Sequence, residues 1–282
     1  MIIRLVLLAA ILVCRSAAAR AEEKNFLTSD GVHLHYIDEG RGHCIVLVPG
    51  WTMPAWIFDA QIKALSHSYR VIAFDPRGQG DSEIAESGYE PFRRGRDIAE
   101  LLAQLNDPSP LLLGWSLGVL DVLSYVHQFG DARIAGLVLV DNSVGELPAP
   151  VPSRGHPRIA RRPRSREAAM HAFVASMFRT PQSPEYIERL TETALRTPPR
   201  AAAQLLDYDV PRSFWRDAVY STPKPVLYMV TPRLSGQAGN LAAHHPATDS
   251  VVLTGVGHAM FVDDPDRFDG LVTDFIRRRL WH

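Results

Sequence analysis

Cysteine is almost missing from this chain: Cys14 and Cys44 are the only two among 282 residues. A disulfide framework is excluded, because two thiols close one bond at most and the first lies in a segment expected to be removed. Cys44, alone inside an apolar strand pattern, reads as a buried inert thiol. A surplus of either charge is missing too, with 30 Lys and Arg against 31 Asp and Glu. Nothing in that balance calls for a nucleic acid partner. The third absence is an apolar run of membrane-spanning length: Leu5 to Val13 is too short to cross a bilayer comfortably. Lying between the positive Arg4 and the A-x-A site Ala19-Arg20-Ala21, it reads as the centre of a signal peptide, Met1 to Ala21. Removal takes away three arginines (Arg4, Arg15, Arg20) and no acid, moving the net charge from −1 to −4. The expectation is an exported protein, periplasmic or secreted, starting near Glu22 and without stable membrane insertion.

The remainder alternates apolar strand patterns with helical ones. Cys44 to Val48, Arg70 to Phe74, Pro110 to Leu113 and Gly136 to Val140 read as strands, and their uninterrupted apolar character implies burial on both faces. Trp56 to Leu65, Phe92 to Leu105 and Leu117 to Phe129 read as the helices between them. Such alternation predicts a parallel sheet with right-handed crossovers, whose ligand crevice lies outside the strands' carboxyl ends. Ahead of it, Phe26 to Thr28 and His33 to Ile37 form a hairpin on an Asp30-Gly31 turn. His33 and His35 share one strand face, read as solvent-facing, with no third metal ligand nearby in sequence.

From Val144 to about Ser221 the rhythm stops. Prolines alternate with Arg154, Arg158, Arg161, Arg162, Arg164 and Arg166, followed by helices near Glu167 to Phe178 and Glu185 to Leu195. A stretch of this length between two sheet strands is an insertion, and over an active edge it is a cap. Its arginines read as solvated charge, with an anionic substrate as the alternative. Pro225 to Val230 and Ser250 to Leu253 restore the strand pattern, and Phe268 to Leu280 closes the chain as an amphipathic helix. The divisions are therefore a signal segment at 1–21, a core in two parts at 22–143 and 222–282, and a cap at 144–221.

The chemistry concentrates at Pro110 to Val119, where an apolar strand meets Gly114-Trp115-Ser116-Leu117-Gly118 and then a helix. A serine hydroxyl becomes a useful nucleophile when a tight strand-to-helix turn holds it beside a base. Glycines two before and two after Ser116 let the flanking backbones pass closely. The amide of Leu117, at the helix N-terminus, is a natural donor to a developing oxyanion. After the last strand, Gly255-Val256-Gly257-His258 presents one histidine at the same sheet edge as Ser116.

Pro49-Gly50-Trp51, Asp75-x-Arg77-Gly78-x-Gly80-x-Ser82, Gly114 to Gly118 and Gly257-His258 resemble, in order and spacing, the motifs of the α/β-hydrolase fold family. The resemblance implies a mostly parallel central sheet with helices on both faces and an inserted cap. It also implies Ser116 as nucleophile, His258 as base and the amides of Trp51 and Leu117 as oxyanion donors, with no metal and no cofactor. Relatives most often carry the triad acid just after the strand matching Pro225 to Val230, but Thr231 to Pro246 contains no Asp or Glu. Asp249 precedes its strand and so belongs to the far edge. Asp141, directly after Gly136 to Val140, is at the proper edge, and some relatives take their acid from this strand. The run from Asp75 is structural in the family. Trp115, Met53 and Met260 are expected to line the substrate pocket, with core packing as the alternative.

The reading favoured is a serine carboxylic ester hydrolase acting on a small-molecule ester. A cofactor-free haloperoxidase-like perhydrolase, a carbon–carbon or lactone hydrolase, and a catalytically silent binding protein on the same fold remain alternatives. The oligomeric state is not legible.

Overall fold

A computed structural model describes residues 21–149 and 165–281. The signal segment, apart from Ala21, and the arginines from Arg154 to Arg164 lie outside the described residues. Eight strands form one sheet in the order β1-β2-β4-β3-β5-β6-β7-β8. The antiparallel pair β1 (Glu22–Leu27) and β2 (His33–Gly40) turns at Asp30-Gly31, where Gly31 takes a left-handed φ of +82°. β2 runs antiparallel to β4 (Arg70–Phe74), and from β4 onward every pairing is parallel, through β3 (Cys44–Val48), β5 (Leu111–Trp115), β6 (Gly136–Val140), β7 (Val226–Val230) and β8 (Thr248–Val252). Strands β3, β5, β6 and β7 are buried throughout, as continuous apolar strands covered on both faces must be. The edge strand β8 is more polar. Asp249 lies inside it and pairs with Arg278 and Arg279.

Helices cover both faces. α1 (Asp59–Leu65), α9 (Met260–Asp263) and α10 (Pro265–Arg279) lie on one side. α2 (Pro91–Gln104), α3 (Leu117–Phe129), α7 (Ser213–Ser221) and α8 (Ser235–His244) lie on the other. Between β6 and β7 the chain inserts α4 (Arg166–Ser176), α5 (Pro184–Arg196), α6 (Pro199–Gln204) and α7. Ser165 and Ser183 cap α4 and α5 through side chains that accept from Ala168 N and Tyr186 N, satisfying donors left free at a helix start. α7 buries Phe214, Trp215, Ala218 and Val219 in the core shared with α3. It therefore belongs with the sheet-flanking helices, and the covering part of the insertion is α4 to α6. Among the described residues, no helix is long and apolar enough to cross a membrane.

Cys44 is free and buried, and burial pushes its thiol up to about 12. His35 departs from the sequence expectation. Only His33 is exposed, whereas His35 is buried with Nδ1 2.7 Å from Asp75 Oδ2 and Nε2 2.7 Å from Glu23 Oε2. The cause is the loop after β4, which closes over this face: Ser82 Oγ accepts from His35 N. Asp75 holds that loop, its carboxylate accepting from Ala55 N at 2.5 Å and Asp81 N at 3.0 Å.

Arg77, with a fully buried side chain, makes two bonds to Asp97 of α2, at 2.6 and 2.7 Å, and reaches Asp30 at the β1–β2 turn. Arg93 also donates to Asp97 Oδ1, at 2.8 and 3.0 Å, so removing Arg77 leaves that carboxylate paired but short of its two buried bonds. Arg77→Ala is expected to cost about 1.5–3 kcal/mol, read as a lowered denaturation midpoint in urea; a midpoint unchanged from the parent would refute the cross-link.

Candidate active site

The turn between β5 and α3 places Ser116 at φ +55° and ψ −120°, a backbone region that costs a non-glycine residue free energy and persists only where the surroundings enforce it. Enforcement comes from close packing. A Cβ on Gly114 would stand 2.4 Å from Gly118 O, and one on Gly118 would stand 2.2 Å from Val48 O. Gly50 fills the same role across the sheet, since its Cβ would fall 2.9 Å from Ser116 Cβ. The backbone entering Trp51 thus passes directly beside the serine. Leu117 is the first residue of α3, where an amide has no acceptor within its own helix.

Three side chains from three strand ends meet in line. His258 Nε2 lies 2.8 Å from Ser116 Oγ, and His258 Nδ1 lies 2.7 Å from Asp141 Oδ2. With the carboxylate accepting from Nδ1–H, Nε2 is left as acceptor for the serine hydroxyl; the network assigns this tautomer. Asp141 leaves β6 with φ +48° and is 2% exposed. Its second oxygen accepts from both Thr231 N and Thr231 Oγ1 at 2.8 Å. Burial pushes the Asp141 carboxyl up, but the bonds from His258 and Thr231 outweigh it and hold the group below the usual carboxylate range. It stays ionised where it faces the imidazole. Asp249, at the start of β8, is remote from this line and occupied by its arginines.

The expected pocket residues fall elsewhere. Met53, Trp115 and Met260 are 1%, 1% and 0% exposed and belong to the core under α1, α9 and α10, so they present no surface to a ligand. Trp115 points beneath the sheet edge and props His258: its Nε1 donates to His258 O at 2.9 Å and its ring lies against Phe261. Half-buried Trp51 does face the cap. Its ring meets Phe173 of α4 edge-on, and Nε1 donates to Ala202 O of α6 at 2.7 Å.

Several contributors lay beyond sequence reasoning. Thr231 is an ordinary residue after a strand until the fold sets it behind Asp141. Asn142 Nδ2 donates to Ser116 O at 2.8 Å, steadying the strained turn. The cap contributes Met177 O, which accepts from Ala259 N at 3.0 Å, next to His258.

One group of potential metal ligands occurs among the described residues, His35, Asp75 and Asp81, with ligand atoms within 4.8 Å of one another. The fold thus supplies the neighbours that His35 lacks in sequence. Each already has protein partners: His35 bonds Asp75 and Glu23, Asp75 holds two loop amides, and Asp81 pairs with Arg196.

Comparison with known proteins places this geometry. A putative non-heme chloroperoxidase of Synechocystis is 32% identical over 122 residues, 43% of this chain and 41% of that protein. A pimeloyl-[acyl-carrier protein] methyl ester esterase of Vibrio parahaemolyticus is 27% identical over 265 residues, 86% of this chain and 98% of that protein. The chain thus spans about two fifths of the chloroperoxidase it matches and nearly all of the esterase. Among solved structures, the esterase RhEst1 from a Rhodococcus superimposes with TM-score 0.77 at 28% identity, over 91% of this chain and 99% of its own. The Alpha/beta hydrolase family matches residues 45–270, which includes both Ser116 and His258, and the chain belongs to that family.

Proposed function

We propose that this protein cleaves carboxylic esters through a covalent acyl-enzyme, with Ser116 as nucleophile, His258 as general base and acid, and Asp141 as the orienting carboxylate. The observation carrying the reading is the continuous line Ser116–His258–Asp141 at 2.8 and 2.7 Å. As Ser116 Oγ attacks the ester carbonyl carbon, its proton passes to His258 Nε2, and Asp141 stabilises the imidazolium. The carbonyl oxygen becomes an oxyanion, for which the amides of Leu117 and Trp51 are the donors. Collapse breaks the bond to the alcohol oxygen, which takes the proton from His258. Water then attacks the acyl carbon and gives a proton to His258; collapse breaks the acyl–Oγ bond as His258 returns that proton to Ser116 Oγ, releasing the acid.

The full-length similarity to a methyl ester esterase supports an ester substrate. Similarity to non-heme chloroperoxidases and a haloperoxidase favours a second use of the acyl-enzyme, in which hydrogen peroxide replaces water and the product is a peracid. Both uses need an activated Ser116. A fluorophosphonate probe is expected to label the protein at Ser116, and labelling should vanish in His258→Ala. No labelling of the folded parent would favour a silent binding protein. Acetate esters supplied with peroxide then separate the two activities, by acid or peracid formed.

We further propose that Met1 to Ala21 directs export and is cleaved. N-terminal sequencing of protein recovered outside the cytoplasm is expected to begin near Glu22; recovery of an intact Met1 would refute cleavage.

A further inference from the structure

The backbone around His258 is fixed at three successive residues, and two of the three holdings involve the cap. Gly257 N donates to Asp263 Oδ2 at 2.6 Å. His258 O accepts from Trp115, and Ala259 N donates to Met177 O at the end of α4. Asp263 completes the junction, because the same carboxylate accepts from two amides of the α4–α5 turn, Arg179 N at 2.9 Å and Thr180 N at 2.9 Å. Thr180 Oγ1 adds a bond to Asp263 O at 3.2 Å. One carboxylate therefore clasps the loop carrying the base to the segment covering the site. The fit is tight: a Cβ on Gly257 would stand 2.5 Å from Met177 O and 2.9 Å from Arg179 N.

We propose that Asp263 is a positioning residue for catalysis, which aligns His258 on Ser116 by locking the cap turn Met177 to Thr180 against the base loop, so that the base is in register only while that corner of the cap is seated. The proposal rests on His258 being the base. A carboxylate is suited to the junction, since it accepts from three amides and carries no donor to oppose them. Gly257 N and Arg179 N share Oδ2, so an asparagine that keeps its oxygen there retains both bonds and turns its NH₂ toward Thr180 N–H alone. Alanine removes every acceptor and opens both sides of the clasp. A shift of about 1 Å in a catalytic group can cost on the order of 100-fold in rate, and nothing else on the histidine's own loop replaces the Gly257 bond.

The test compares Asp263→Asn, Asp263→Ala and Gly257→Ala with the parent, counting active sites by fluorophosphonate labelling. Gly257→Ala wedges the same junction apart without removing a hydrogen-bonding atom. The expected result is a fall in kcat per labelled site, and in the labelling rate constant, of about 10- to 100-fold for both Ala and wedge variants, with KM for a short activated ester changed much less and a smaller fall for Asn, which keeps the Gly257 and Arg179 bonds. If Asp263→Ala fails to fold, the wedge variant decides. A lowered melting temperature with kcat per site and labelling rate within twofold of the parent would make the clasp merely structural and overturn the proposal. His258→Ala serves as reference: undiminished labelling there would overturn the base assignment itself, whatever the Asp263 variants do.

Discussion

Ser116→Ala is expected to lower kcat for short activated esters by about 10⁶-fold, the scale seen when the nucleophile of a serine triad is removed. The fold should survive. Alanine inherits the same strained backbone at φ +55°, and the close passages at Gly50, Gly114 and Gly118 are untouched. The one protein bond of the side chain that is lost is the 2.8 Å contact to His258, at the partly exposed end of the triad. His258→Ala should lose about as much, because the two act as a unit and their deletions do not add. Steady-state turnover with active-site counting and a thermal melt checks both. Turnover near the parent's in Ser116→Ala would remove Ser116 from the mechanism, and in His258→Ala would remove the proposed base.

The second large effect is at the acid. Asp141→Asn is expected to lower kcat by about 10⁴-fold with the fold intact, and the surroundings say why the amide cannot substitute. Thr231 N–H and Oγ1 both lie 2.8 Å from Asp141 Oδ1, so they retain the amide oxygen and leave the NH₂ facing His258 Nδ1. A donor there stabilises the tautomer with its proton on Nε2, which cannot accept from Ser116. Asp249→Asn should change kcat little, since Asp249 serves Arg278 and Arg279 on β8. Because the folded-state carboxyl of Asp141 is held below its ordinary value, its ionised form contributes stability above the unfolded pKa of about 3.9, and this is lost as pH falls through the lower folded value. The deficit of the Asn variant should therefore persist unchanged down to about pH 4, near that ordinary value. A deficit that disappears by pH 5, or falls on Asp249→Asn instead, would move the acid.

Features with a local signature were legible in the sequence. Apolar runs mark the strands because burial on both faces leaves no polar position, and Ser116 and His258 stand out as candidates through glycines beside a serine and a histidine after strands. Asp141 is reached by exclusion, as the segment after β7 has no carboxylate. That segment hides α8, whose Ser235-Gly236-Gln237-Ala238-Gly239-Asn240 sequence looks like loop and is helical because Gln237, Ala238 and Leu241 pack inward. What failed was direction. Trp115, Met53 and Met260 are apolar and adjacent to the site along the chain, yet all three are buried in the core: Trp115 ends β5, where alternate positions face opposite sides of the sheet, while Met53 lies in the loop after β3 and Met260 opens α9. His35 seemed solvated because the loop that covers it begins 40 residues later, at Asp75. The clasp at Asp263 joins loops 84 residues apart, and no spacing along the chain signals it.

The order in which the triad enters the chain has a consequence for biosynthesis. Ser116 and Asp141 end neighbouring strands joined by a single helix, but His258 is 117 residues beyond Asp141 and comes from the last loop before α9 and α10. Closing so long a loop carries an entropic cost that local pairs do not share. With the roles proposed above, a polypeptide emerging from the ribosome holds Ser116 and Asp141 long before His258, and Asp263 follows later still. A product stalled or clipped between Val252 and His258 would therefore contain all eight described strands and lack the proposed base.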